Sequence, residues 1–292
     1  MRVLILGGTG MLGHKVVQVF GKRFDTFCTI RNVFPSVERL GIFERQRVIE
    51  NVDAFDIRSI RAAIENTKPD VVINCIGIIK QLPTSKNVVH TLTINSILPH
   101  LIAEVTAEIG CRFITISTDC VFSGARGQYS ESDVPDSTDL YGRSKQYGEV
   151  TGNDCLTIRT SIIGRDIGTT HSLIDWFLSQ KKVKGYASAI FSGFPTIVLA
   201  EILANIIEDH PNLEGVYHVS SDPISKYDLL ELVNRRIASP IDIEKESNFQ
   251  LDRSLDSSKF RQITGFTPLP WPEMVDRMFS DPTPYGDWRK LS

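Results

Sequence analysis

A chain of 292 residues, 41% hydrophobic and 23% charged, carries enough apolar side chain for a large buried core, which excludes a disordered or fibrous polypeptide. A formal net charge of -3, with no basic run longer than Lys181-Lys182, excludes surfaces built for nucleic acid or an anionic membrane. Cys28, Cys75, Cys111, Cys120 and Cys155 form neither a CxxC pair nor a zinc-ligand spacing with His. They read as free thiols of a reducing compartment, which predicts a cytoplasmic protein without a metal.

In chain order, the apolar run Val3 to Leu6 predicts a first strand, residues 11 to 20 a helix, and Thr26 to Ile30 a second strand. The N-terminal run is too short for a signal peptide, and no stretch approaches the ~20 apolar residues of a membrane span. Between 32 and 50, Pro35, Gly41 and scattered charges interrupt any period, so this segment reads as an insertion. A helix over 57 to 66, a strand over Val71 to Ile76, a helix over 90 to 109 and a strand over Arg112 to Ser117 follow. A helix over 139 to 150 and a strand over Leu156 to Thr160 complete the regular alternation. Cys28 and Cys75 lie inside these apolar runs and Cys111 borders one, as small buried hydrophobes do. The alternation predicts a parallel sheet with helices on both faces. Past residue 160 the elements shorten, with Leu199 to Glu208, Val216 to Val219, Tyr227 to Ile237 and Trp271 to Phe279 standing out. The chain thus divides into 1–160 and a smaller lobe over 161–292, some of whose elements return to the first sheet.

Between the first strand and first helix stands Gly7-Gly8-Thr9-Gly10-Met11-Leu12-Gly13. Gly7 permits a tight turn, Gly10 lets backbone approach a pyrophosphate, and Gly13 lets the helix sit against the strand. The helix start adds N–H groups and a partial charge of about +0.5 e. Strand, turn and helix in this order predict a dinucleotide site. The second strand ends at Ile30-Arg31-Asn32, where an acid would favour the ribose 2'-hydroxyl of NAD. Here Arg31 offers a guanidinium to the 2'-phosphate of NADP, or else merely opens a solvated loop. Asp56-Ile57 can meet the adenine, and Asp56 is equally a good helix N-cap. Asn74-Cys75-Ile76-Gly77 closes the next strand at the edge where ligands lie in such sheets.

Tyr141 and Lys145 sit four residues apart on one helix face, the only Tyr-to-Lys pair of that spacing in the chain. A neighbouring cation would bring the phenol closer to the working range, and the ammonium can also hold ribose hydroxyls. Ser117-Thr118-Asp119 ends a strand, where a hydroxyl can orient a substrate oxygen or simply cap a turn.

Taken together, Gly7 to Gly13, Ile116 to Gly124 (Ile-Ser-Thr-Asp-Cys-Val-Phe-Ser-Gly), Tyr141 to Lys145 and Arg159-Thr160-Ser161 resemble the dTDP-4-dehydrorhamnose reductase-like branch of the extended short-chain dehydrogenases. The likeness continues more faintly through Phe194-Pro195-Thr196, Ile224-Ser225-Lys226-Tyr227 and the helix at Trp271. It implies a Rossmann-type, doubly wound α/β fold with a smaller C-terminal α/β substrate lobe. It also implies NADP(H)-dependent reduction of a dTDP- or UDP-linked 4-keto-6-deoxy sugar for surface polysaccharide, and a homodimer. Thr118, Tyr141 and Lys145 become the catalytic residues in this likeness. Ser117, Cys75, Ile76 and Gly77 line the cofactor, and Asp119, Cys120 and Ile162 face the substrate. The family commonly has Tyr where Cys120 stands and Trp where Ile162 stands, so the sugar-facing wall is less aromatic here. Related dehydratases carry Glu at the position of Cys120, which argues against dehydration. A 4-epimerase and a non-catalytic regulatory subunit are the alternatives. Lys80, Gln81, His171 and Phe191 to Phe194 are weak candidates for the sugar pocket.

Overall fold

The computed structural model describes residues 1–80, 83–167 and 171–286. Strand β1 (Arg2–Leu6) is an unbroken apolar run because both of its faces are covered. Val3 and Ile5 point into one core, and Leu4 and Leu6 into another. Helix α1 (Gly13–Phe20) follows, then β2 (Asp25–Thr29). The segment over 32 to 50 is not a plain insertion. It holds a short helix α2 (Pro35–Glu38) and strand β3 (Val48–Ile49), which pairs in parallel with β2. Phe34, Val37, Leu40 and Phe43 bury against the first core, and this spacing of apolar residues outweighs the interruptions by Pro35 and Gly41.

Helix α3 (Ile57–Thr67) and strand β4 (Val71–Asn74) lead to α4 (Val88–Leu92) and α5 (Leu98–Ile109), fused through one π-helical turn over Thr93–Ile97. By length and composition the joined helix Val88–Ile109 could cross a membrane, contrary to the expectation from sequence. One face of it serves packing, with Ile94, Leu98, Ile102 and Val105 buried in the second core, while Val88, Val89 and Ile97 are exposed. Strand β5 (Arg112–Thr118), helix α6 (Leu140–Tyr147) and strand β6 (Cys155–Thr160) complete the first part.

Beyond it, β7 (Ile162–Ile163), α7 (Leu173–Leu178), β8 (Lys182–Tyr186), β9 (Ala189–Phe191) and β10 (Phe194–Pro195) are short. Helix α8 (Thr196–Asp209) packs on α1, and β11 (Gly215–His218) pairs with β6. The remainder comprises β12 (Ile224–Ser225), α9 (Lys226–Asn234), β13 (Asp242–Glu246), β14 (Leu251–Asp252), α10 (Ser258–Thr264) and α11 (Trp271–Ser280). Among the described residues the main sheet has seven strands in the order β11-β6-β5-β4-β1-β2-β3, all parallel. Three small sheets, β10-β7, β12-β9-β14 and β13-β8, stand apart from it. Helices cover both faces, as a parallel sheet requires. This is the doubly wound Rossmann-like α/β fold.

The chain then returns to its beginning. Lys15, only 1% exposed, pairs with Asp281 and donates to Thr283 Oγ1 at 2.6 Å. His14 Nδ1 lies 2.8 Å from the Gly10 carbonyl, so that nitrogen carries the proton and Nε2 accepts from the Tyr285 hydroxyl at 2.8 Å. Burial pulls His14 down to about 4, which keeps the imidazole neutral in this bridge.

Candidate active site

At the C-terminal ends of β1, β2, β4 and β5 the glycine loop meets the turns that follow the neighbouring strands. Gly7 (φ +80°) donates to Thr29 Oγ1 at 3.1 Å, and Gly8 to the Thr29 carbonyl at 2.9 Å. A Cβ at Gly13 would lie 2.1 Å from the Gly7 carbonyl oxygen, so only glycine lets α1 start this close to the strand. No side chain caps α1 and no acid stands in its first turn; the His14, Lys15 and Val16 N–H groups go to the Gly10 and Leu12 carbonyls, which leaves those of Met11, Leu12 and Gly13 to meet an anion. Thr9 and Gly10 are exposed, Met11 is partly buried and Leu12 is buried. Ile76, next to Cys75, packs against Gly7, and exposed Gly77 follows it. Arg31 and Asn32 are exposed beyond Thr29, with no side-chain partner for Arg31 among the described residues. Asp56 accepts from the Arg58 N–H and pairs with the Arg58 guanidinium, so the N-cap role is realised, and Ile57 opens α3. Glycines that tolerate no side chain, an uncapped helix start and a free guanidinium together fit a dinucleotide.

The Tyr141 helix is anchored from both sides. Asp139 caps it, accepting from the Gly142 N–H at 2.9 Å, and also accepts from Lys80 Nζ at 2.6 Å. A Cβ at Gly142 would lie 2.2 Å from the Cys120 carbonyl, so glycine lets the helix close onto the turn after β5. This approach brings the Tyr141 phenol within reach of the Thr118 hydroxyl. Burial pushes the phenol well above its ordinary value, with Cys120, Asp119 and Asp139 adding to the push and Thr118 opposing it. Thr118 accepts from the Cys120 N–H at 3.1 Å and donates to Asp119 Oδ1 at 3.1 Å, so it does cap the turn over Asp119–Val121.

The structure corrects the expected effect of Lys145 on Tyr141. Lys145 Nζ donates to the Ile116 carbonyl at 2.6 Å, and burial outweighs any neighbouring cation at the phenol, which stands raised rather than lowered. The cation over the Tyr141 ring is Lys80, 5.7 Å from the ring centroid. Burial pulls Lys145 down to about 8, against the opposing charge of Glu149. Both groups therefore shift through desolvation, and each toward its neutral form.

A second wall comes from the C-terminal segments. Arg253, just after β14, donates to the Phe122 carbonyl at 2.9 Å and to Cys120 Sγ at 3.5 Å. Lys226 lies 3.7 Å from the Phe191 ring centroid. Both cations oppose the burial that raises buried Asp119, Lys226 more strongly. Burial and Asp119 push Cys120 up to about 12, so its thiol stays neutral beside Arg253. Ile162 pairs with Phe194 across the small β7–β10 sheet and packs on the larger core. Phe191 and Phe194 are core residues, and His171 is exposed. Gln81 lies outside the described residues. Among those described, no group of three or more His, Cys, Asp or Glu could hold a metal ion.

Three contributors escaped the reading of sequence. Ser117 turns its hydroxyl to Glu149 at 2.7 Å rather than outward. Glu149 continues the four-residue spacing of Tyr141 and Lys145, and that spacing was its available signal. Asn95, in the π-helical turn, accepts from the Ile78 N–H at 2.8 Å and donates to Ser144 Oγ at 3.1 Å, tying the β4 edge to the Tyr141 helix. π-Turns inside α-helices frequently mark functional sites. Arg253 had no local signal at all.

The sequence pattern of the family described as RmlD substrate binding domain matches residues 1–283. Methionine adenosyltransferase 2 subunit beta of Xenopus tropicalis is 26% identical over 300 residues, spanning 94% of this chain and 80% of that protein. Spore coat polysaccharide biosynthesis protein SpsK of Bacillus subtilis (strain 168) is 30% identical over 179 residues, 59% of this chain and 62% of that protein. In fold, the chain resembles the crystal structure of dTDP-4-dehydrorhamnose reductase from Bacillus anthracis str. Ames in complex with NADP. The TM-score is 0.77 at 21% identity, covering 96% of this chain and 99% of that one.

Proposed function

The chain belongs to the RmlD substrate binding domain family, and from that premise we propose that it reduces the 4-keto group of a nucleotide-linked 4-keto-6-deoxy sugar with NADP(H). The observation that carries this reading is the meeting of the Tyr141 phenol and the Thr118 hydroxyl beside a glycine loop built for a dinucleotide. A phenol raised by burial keeps its proton at neutral pH, as a general acid must. An alkoxide is a stronger base than a phenolate, so as the C4 oxygen gains charge Tyr141 gives up its proton downhill. Thr118 orients that oxygen. The bound nicotinamide supplies the hydride. Lys145 spends one of its three N–H donors on the Ile116 carbonyl, which leaves donors for the ribose hydroxyls.

In this reading residues 1–160 bind the cofactor, with Gly7, Thr9 to Gly13, Asn32, Asp56, Ile57, Cys75 to Gly77 and Ser117 lining it and Arg31 selecting the 2'-phosphate. Residues 161–292 mainly form the substrate lobe. Asp119, Cys120 and Ile162 face the sugar, and Lys226 and Arg253 meet its anionic nucleotide part. The name of the Bacillus subtilis relative supports a place in surface polysaccharide synthesis, in the cytoplasm, and the family supports a homodimer. A binding subunit of a larger assembly is the second reading, favoured by the likeness to methionine adenosyltransferase 2 subunit beta along 94% of the chain. A 4-epimerase would return its hydride to the same sugar, whereas Arg31 suits an exchangeable NADP. Stoichiometric NADPH loss with a 4-keto sugar nucleotide supports the reductase. Inversion at C4 without net loss indicates an epimerase, and neither result indicates a binding subunit.

A further inference from the structure

Behind Lys145 lies a buried charge pair with no part in the chemistry described so far. Arg159 of β6 grips Glu149 in a bidentate pair, Nε to Oε1 and Nη2 to Oε2, each at 2.7 Å. Their side chains are only 7% and 9% exposed, so the field between them is little screened by water. Ser117 Oγ adds a third hydrogen bond to Glu149 at 2.7 Å. The guanidinium is itself fixed, 3.2 Å from His218 Nε2 and over the Phe122 ring.

The other groups around Lys145 cannot balance its charge. From β5 it meets the Ile116 carbonyl, and from the end of β4 the Cys75 thiol, which burial pushes up to about 12 and so keeps neutral. On its own helix Tyr141 holds its proton, and the π-helical turn packed on that helix meets the neighbouring Ser144 through the uncharged Asn95 and Ser96. From β11, His218 stands behind Arg159 and is kept neutral by burial, at about 4. Glu149 accepts from Ser117, the β5 residue next to Ile116 whose carbonyl holds Nζ, so it stands close behind the ammonium and is the one carboxylate that acts on it among the described residues.

We propose that Glu149, clamped by Arg159 and Ser117, is a positioning residue that keeps the Lys145 ammonium charged inside a desolvated site. The proposal rests on Lys145 facing the cofactor, as read above. Arg159 fixes where the negative charge stands and partly neutralises it, so the balance of this pair sets how strongly Lys145 holds its proton.

The test is competitive labelling of Lys145 with trace acetic anhydride across pH on the full chain, read by mass spectrometry without substrate. Glu149→Gln keeps the shape and removes the charge, and should lower the Lys145 midpoint by roughly one pH unit or more. Arg159→Met leaves the carboxylate to the lysine alone and should raise it. Opposite shifts support the proposal, because a purely structural role has no reason to reverse sign. Coincident midpoints, or shifts of one sign, overturn it, and if only one variant folds its sign decides. Where turnover is measurable, the high-pH limb of kcat should move down with the Glu149→Gln midpoint. Failure of these shifts leaves the reductase reading standing, whereas shifts without any turnover sink that reading alone.

Discussion

Two lysines, buried Lys15 and half-buried Lys145, sit on the helices that frame the same sheet edge and are held in opposite ways. Lys15 has a carboxylate partner in Asp281 and further acceptors in Gln18 and Thr283, so its ammonium is fully occupied. Lys145 has one carbonyl acceptor, and its nearest acid, Glu149, is already committed to Arg159. Burial lowers both, yet only Lys145 keeps donors to spare. A saturated lysine closes the fold, by tying the C-terminal segment to the glycine-loop helix. An unsaturated one is a place for a ligand.

The comparison is sharpened first at Tyr141, one helical turn before the unsaturated lysine. Tyr141→Phe should cut turnover by about 10²- to 10⁴-fold, the usual worth of a positioned general acid, with cofactor affinity largely kept. Steady-state rates together with a fluorescence titration by NADPH check both halves, and unchanged turnover refutes the role. Lys145→Ala should lower turnover and cofactor affinity together, because its ammonium serves both; loss of only one would break that assignment. Lys15→Met strands the Asp281 carboxylate and should cost about 3 to 5 kcal/mol in denaturant unfolding while the folded fraction keeps its turnover. A turnover loss larger than the stability loss explains would show that the two lysines are not so different. Smaller still, Arg31→Ala should weaken NADPH about tenfold and leave NADH nearly unchanged, the scale of one charge-assisted hydrogen bond. Equal changes would remove the 2'-phosphate argument. Lys145 is cationic below about pH 8 and neutral above it, so cofactor affinity should fall as pH rises through about 8. Binding measured from pH 7 to 9 tests this, and a flat profile contradicts it.

Local sequence reveals those parts of the site that one element carries. Strand, glycine turn and helix lie within the first twenty residues, and Tyr141 and Lys145 share one helical face, so spacing already groups them. Thr118 was legible for the same reason, since it ends an apolar run. The electrostatics were not legible. A four-residue spacing suggests that Lys145 acts on Tyr141, but the pull of the Ile116 carbonyl on Nζ is a cross-element contact that no pattern encodes. The Asp281 to Tyr285 return to α1 joins residues more than 260 apart in the chain, and Arg253 reaches Cys120 from 133 residues away. The edge strand β3 was hidden because two residues are too few for a period to show.

The central claim is that the Tyr141 phenol protonates a sugar-nucleotide carbonyl at a nicotinamide site, and NADPH oxidation across dTDP-, UDP- and GDP-linked 4-keto sugars tests it most directly. One member of the panel should give one NADPH consumed per sugar reduced, and Tyr141→Phe should abolish most of that rate. No consumption with any member, or consumption indifferent to the loss of the phenol, would contradict the account.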